Sequence, residues 1–399
     1  MSRLTELIQE LCPNGVEFKK IKEVYQRLKG TPITASKMKE IENPQGEIRI
    51  FAGGKTVINA KEIDIPNANI TRVPAVLVQS RGVIDAVYYD KPFTFKNEMW
   101  AYTTENPVSV KFLYYVLKNN MEYFRSAAAG MGSLPQISLP VTEDFEIPLP
   151  PIEVQREIVR ILDTFTELAA ELAAELAARK QQYAYYRDNL LTFRVDITRK
   201  SLDELCTISA AGDAPKDALS LTKTAEYQIP VISNGIGENA FYGYTDKPKI
   251  TEPAVTVAAR GTIGYAEYRD YPYYPIIRLL SVIPKNTAVL ATKYLYYCMQ
   301  GKKYNVPLGG IPQLTAPELK KVVIPVPPLP VQQRIVTVLD NFDAICSDLN
   351  IGLPAEIEAR KKQYEFYRDQ LLTFAVQDEI VLTDRQTDRQ TDRQTDRQT

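Results

Sequence analysis

The residues with the most chemical potential in this chain come in pairs. Arg81 precedes Gly82 in SRGVIDAVYY (80–89), and Arg260 precedes Gly261 in ARGTIGYAEY (259–268). An arginine beside a glycine suits an anion, because the missing side chain lets the backbone approach a phosphate. An arginine that caps a turn or pairs with a local acid is the alternative. Gln136 in GSLPQI (132–137) faces Gln313 in GGIPQL (309–314), each suited to a backbone contact or to a turn bond. Tyrosines cluster at 183–186 and 271–274. Tyr183, Tyr186 and Leu190 have helical spacing, which predicts packing rather than stacking on a ligand. Tyr271, Tyr273 and Tyr274 lie in a Pro-bounded strand or loop and stay undecided.

The absences are as informative. There is no histidine, which removes His-based acid/base work and His metal sites. Carboxylate or lysine chemistry remains open. The chain has no GxxxxGK[ST] loop, no GxGxxG after a strand and no GxSxG elbow. AGG (52–54) and LGGIP (308–312) read as turns. Cys12, Cys206, Cys298 and Cys346 form no CxxC pair, so buried reduced thiols are expected. The start, MSRLTELIQELC, lacks an apolar signal core, and no apolar run approaches a membrane span. A cytoplasmic protein without catalytic apparatus of its own is the expectation.

The elements that position these pairs are themselves duplicated. IPLPPIEVQREIVRILDTF (147–165) matches IPVPPLPVQQRIVTVLDNF (324–342) at 11 of 19 positions. RKQQYAYYRDNLLTF (179–193) matches RKKQYEFYRDQLLTF (360–374) at 11 of 15. Repeats of this length imply two copies of one large unit and a pseudo-twofold molecule. PLPP (148–151) predicts a helix start, and no Pro or Gly follows until after Phe193. Such a helix, roughly 60 Å long, suggests a coiled-coil arm. The second arm is expected from about Pro330, to break at IGLP (351–354) and to restart at Ala355. The intervening regions, 16–146 and 197–323, are rich in Tyr, Pro, Gly and β-branched residues and predict α/β or mostly-β globules. They share further landmarks. IRIFAGG (48–54) faces IPVISNG (229–235), and KFLYYVLK (111–118) faces KYLYYCMQ (293–300). A fixed frame with variable content suggests one fold with two binding specificities.

These blocks resemble the central and distal conserved regions of specificity (S) subunits of type I restriction-modification systems. The ELAA repeats and the YYRD–LLTF ending are most similar to the IC subfamily. The resemblance implies an α/β protein with two globular target-recognition domains, separated by two long antiparallel coiled-coil helices. It implies domains at 1–150 and 196–328, a central arm at 151–195, a distal arm at 329–376 broken near 351–354, and a tail at 377–399. Each domain would read one half of a split, asymmetric sequence in double-stranded DNA. The arms would hold two methyltransferase (M) subunits, which restriction (R) subunits can join. The chain itself would carry no cofactor. S-adenosylmethionine would sit on the methyltransferase, and ATP with Mg on the restriction partner. A coiled-coil interaction scaffold without sequence-specific DNA recognition is the competing reading.

The formal net charge is −1. Residues 14–150 hold 17 Lys+Arg against 15 Asp+Glu, and 199–327 hold 15 against 11, so the globules are slightly basic at +2 and +4. Such a weak excess argues for focused contacts rather than bulk attraction. Base reading uses Arg or Lys for guanine, Asn or Gln for adenine, and aromatic or methyl contacts for thymine. Candidates in the first domain are Lys37, Lys39, Lys55, Arg72, Arg81, Lys96 and Asn97. In the second they are Lys216, Lys223, Asn234, Asn239, Tyr242, Lys247, Lys249, Arg260 and Arg278. For each, a solvated surface role is the alternative.

Two low-complexity segments complete the reading. ELAA occurs three times at 167–178 as a helical spacer with a leucine stripe. One unit adds about 6 Å and a net turn of about 40°, close to the twist of about one base pair. TDRQ occurs four times from Thr383 and predicts a disordered tail. Its codons reduce to one tetranucleotide, ACAG, so a slipping, phase-variable C-terminus is the hypothesis. Mixed codon usage across those units would dispose of it.

Overall fold

The computed structural model describes residues 3–128, 135–193, 197–304, 312–347 and 352–373, without the side chain of Lys55. The TDRQ tail and most of LGGIP lie outside the described residues. The chain divides into two compact units, Met1–Glu171 with Ile357–Thr399, and Leu172–Glu356.

In the first unit a four-stranded antiparallel sheet runs Gln26–Leu28, Trp100–Thr103, Ala75–Gln79, Asp85–Tyr89. A three-stranded sheet runs Val57–Ala60, Ile48–Phe51, Phe93–Phe95, and its last pair is parallel. The second unit repeats this order strand for strand. Its larger sheet is Cys206–Ala210, Leu279–Pro284, Ala254–Ala258, Ala266–Arg269. Its smaller one is Phe241–Thr245, Ile229–Ile232, Tyr274–Pro275, again with the last pair parallel. AVLVQ and AVTVA are buried at every position, which explains why these runs show no polar alternation. Both units close with a two-stranded ribbon, Phe18–Lys20 on Glu146–Pro148 and Arg199–Ser201 on Val323–Pro325. The α/β class and the internal duplication are therefore as the sequence predicts.

Pro at the strand end and the Pro-rich turn after it set up the long helix, Ile152–Leu191, of 40 residues. It stops two residues before Phe193. In the ELAA segment Leu172 is buried, Leu168 and Leu176 are half-buried, and the alanines and glutamates are exposed. This is the leucine stripe that four-residue spacing gives. The second arm consists of Leu329–Ser347 and Leu353–Thr373. The latter starts at Leu353 rather than Ala355, with Pro354 tolerated in a first turn that needs no amide donor.

Matched aromatic pairs join the arms within each unit. Phe165 stacks on Tyr367 at 5.7 Å in the first. Phe342 stacks on Tyr186 at 5.3 Å in the second. Tyr183 is buried, as its spacing predicts, whereas Tyr186 is 41% exposed. Cys12, Cys206 and Cys346 are buried free thiols and Cys298 is half-buried. Burial pushes the Cys206 thiol up to about 12, which keeps it protonated and unreactive.

Candidate nucleic-acid interface

The Arg-Gly pairs sit at one corner of each unit, where three loops meet. In the first unit the loops follow Ile48–Phe51, Ala75–Gln79 and Phe93–Phe95. Backbone bonds tie them: Lys96 donates to Phe51 at 2.9 Å, and Ile137 donates to Ser80 at 2.9 Å. In the second unit Ile276 donates to Ile232 at 2.9 Å and Leu314 to Ala259 at 2.8 Å. The corner is thus built twice from the same bonds. Gly82 and Gly261 adopt φ +77° and +75°, so glycine is needed for a left-handed turn. The Gly82 amide already donates to Pro135 at 2.8 Å. Arg81 bridges to Gln136 through the backbone.

The corner gathers Arg81, Lys96 and Asn97 in the first unit. Arg81 and Asn97 are exposed, while Lys96 pairs with Glu98 at 3.0 Å. Lys55 closes the adjacent turn Gly53–Lys55. In the second unit it gathers Asn234, Arg260 and Arg278. The Asn234 amide donates to the Arg260 carbonyl at 2.6 Å, and the Asn234 carbonyl accepts from the Thr262 hydroxyl at 2.8 Å. Asn234 therefore holds two loops together. Asn239 is exposed in the following turn. Arg278 is exposed with φ +71°. For a residue with a Cβ that conformation costs about 1–2 kcal/mol.

The other candidates fall on different elements. Lys37 and Lys39 lie on the helix Ala35–Ile41, and Lys37 pairs with Glu40 at 2.7 Å. Arg72 pairs with Glu62 at 2.6 Å. Lys216, Lys223 and Lys247 are exposed. Lys249 stands 5.8 Å from the Tyr274 ring, and Tyr242 is 48% exposed on the strand Phe241–Thr245. Among the undecided tyrosines, Tyr273 is fully buried and donates to Ser281 at 2.9 Å, so it is core.

One constellation was missed in the sequence. Lys111 and Tyr115, one helical turn apart on Pro107–Asn119, both reach Asp163 of the long helix, at 2.8 and 2.6 Å. Lys293 on Thr292–Met299 reaches Asp340 at 2.8 Å, and the Tyr297 hydroxyl donates to the same carboxylate. Burial, then the bond to the carboxylate, push both hydroxyls upward, so they remain proton donors. This clamp fixes each globule to its arm helix. The signal was present, because KxxxY and LD recur in both copies. Nothing local said that they meet.

Comparison with known proteins agrees with this duplicated frame. The family model "Type I restriction modification DNA specificity domain" matches residues 13–178 and 194–359. A putative type I specificity subunit of Mycoplasma pneumoniae is 34% identical over 283 residues, 67% of this chain and 83% of that protein. The EcoR124I/EcoR124II specificity subunit of Escherichia coli is 32% identical over 300 residues, 68% of this chain and 72% of that one.

The chain belongs to the type I restriction-modification DNA specificity family.

A solved S subunit from M. genitalium shares the fold, with TM-score 0.56, 16% identity and coverage of 90% of this chain and 96% of that one. Specificity subunits are the non-catalytic components of these systems. Among the described residues no His/Cys/Asp/Glu cluster could hold a metal ion, and no helix is long and apolar enough to cross a membrane.

Proposed function

We propose that this subunit reads a bipartite, asymmetric double-stranded DNA target, one half per unit, and scaffolds two methyltransferase subunits along its helical arms. Restriction subunits join the same complex where they exist. The observation that carries this reading is the corner built twice: the same backbone bonds present Arg81, Lys96 and Asn97 in one unit and Arg260 and Arg278 in the other. A duplicated frame that keeps one arginine in each copy but otherwise carries unlike side chains is what two half-sites of different sequence require. The arms run antiparallel and act as a spacer, supported by the order of the ring pairs along the chain, Phe165 with Tyr367 and Tyr186 with Phe342. The methyl donor, and ATP with Mg, belong to the partner subunits. The ELAA repeats and the YYRD–LLTF ending favour the IC subfamily.

Single-molecule sequencing of DNA methylated by the complex of this subunit with its methyltransferase tests the reading. The expected product is one split motif with two unlike halves. Methylation at no defined sequence would favour a coiled-coil scaffold without DNA recognition.

A further inference from the structure

The two corners differ most at one equivalent position. In the first unit Glu98 lies two residues after Lys96, which donates to Phe51, and two before Trp100, which pairs with Val78. In the second, Arg278 lies two residues after Ile276, which donates to Ile232, and two before Leu280, which pairs with Val257. Both carbonyls accept from the matched strand end, Glu98 from the Ser80 hydroxyl and Arg278 from the Ala259 amide at 2.8 Å. The sites are therefore equivalent and opposite in charge.

Their side chains are also in opposite states. The Glu98 carboxylate accepts from the Gly53 amide at 3.3 Å and pairs with Lys96 at 3.0 Å. Arg278 makes no ion pair among the described residues and stands exposed beside the Arg260 loop. A glycine would hold φ +71° without strain, so the backbone gives no reason for an arginine here. An outlier of this kind points to what its side chain does.

We infer that Arg278 is a specificity-determining residue that reads a guanine in the second half-site. Glu98 leaves the matching position of the first half-site without a guanine reader. The inference rests on the proposed DNA-reading function. The guanidinium fork offers two parallel donors, which fit guanine O6 and N7. A carboxylate at the same place faces those acceptors unfavourably and is already occupied by Gly53 and Lys96. Arg260, whose carbonyl is pinned by Asn234, is left to steady the neighbouring phosphate.

The test methylates a duplex library, randomised in both half-sites, with the methyltransferase complex of the wild type, Arg278→Lys, Arg278→Ala and Arg278→Gly. The glycine variant relieves the backbone while removing the side chain, so it keeps the fold. The wild type should demand guanine at one second-half position. Arg278→Ala and Arg278→Gly should lose that discrimination by roughly ten- to hundredfold while the first half stays unchanged. Arg278→Lys should keep most methylation yet lose most of the preference, because an ammonium cannot fork. A split motif that survives all three substitutions unaltered overturns the inference alone. So does a loss spread evenly over all sequences, which marks a phosphate contact. A wild type that methylates without any motif overturns the function beneath it as well.

Discussion

The clamp and the corner respond to duplication in opposite ways. Lys111, Tyr115 and Asp163 recur as Lys293, Tyr297 and Asp340 with the same donors and the same acceptor. At the corner the backbone bonds and the Arg-Gly pair recur, but the neighbouring side chains do not, and Glu98 becomes Arg278. The clamp carboxylate joins a strand-packed helix to the arm, and losing it would leave a lysine and a buried hydroxyl without an acceptor, which costs desolvation. An exposed loop held by its backbone accepts almost any side chain. The molecule thus separates what must be held rigid from what may vary.

The arms offer the sharpest contrast. One is a continuous 40-residue helix with ELAA repeats, and the other is two helices, Leu329–Ser347 and Leu353–Thr373. Removing one ELAA unit should shorten the unread gap of the target by about one base pair and leave both half-sites intact. Methylome sequencing of a two-repeat variant reads this, and an unaltered gap ends the ruler idea.

Packing at the arm roots should be equal in the two copies. Leu162 and Leu339 are matched and fully buried. Leu162→Ala and Leu339→Ala should each destabilise by about 2–5 kcal/mol. Urea unfolding followed by circular dichroism gives both values, and a large inequality would break the equivalence. The clamps should cost less. Asp163→Ala and Asp340→Ala each leave an ammonium and a hydroxyl without their acceptor, for about 1–3 kcal/mol. Adding Lys111→Ala to Asp163→Ala should cost less than the sum of the two, and strict additivity would count against the clamp.

The smallest effect separates the copies by charge. Arg160 bonds to Glu157 at 2.7 Å and holds its carboxyl below the usual range. Arg334 and Thr337 stand at the matched positions, so the second copy lacks this pair. A lowered folded value means that the stabilisation is present above the ordinary glutamate range and lost as pH falls through the folded value. Glu157→Gln should cost below about 1 kcal/mol at neutral pH, with the melting-temperature gap to wild type closing in acid. A gap that persists in acid would assign the loss to something other than charge.

The matched landmarks fell on equivalent elements: IRIFAGG and IPVISNG each begin with a strand, and KFLYYVLK and KYLYYCMQ lie on helices. The clamp was not legible, since its partners stand 48 and 52 residues apart and each looks like an ordinary surface residue. The equivalence of Glu98 and Arg278 was hidden too, because KNEM and IIRL share no residue. Only their backbone partners reveal it. Among the candidate readers, Lys96 pairs with Glu98 and Asn234 bridges two loops, partners that no local pattern announces.

By itself the sequence determined the duplication and the proline-started helix, because hydrophobic period, capping and chain punctuation act over a few residues. Tertiary structure decided which polar side chains became anchors and which stayed free to meet a ligand. That choice depends on partners brought together from distant parts of the chain, and no local pattern carries it.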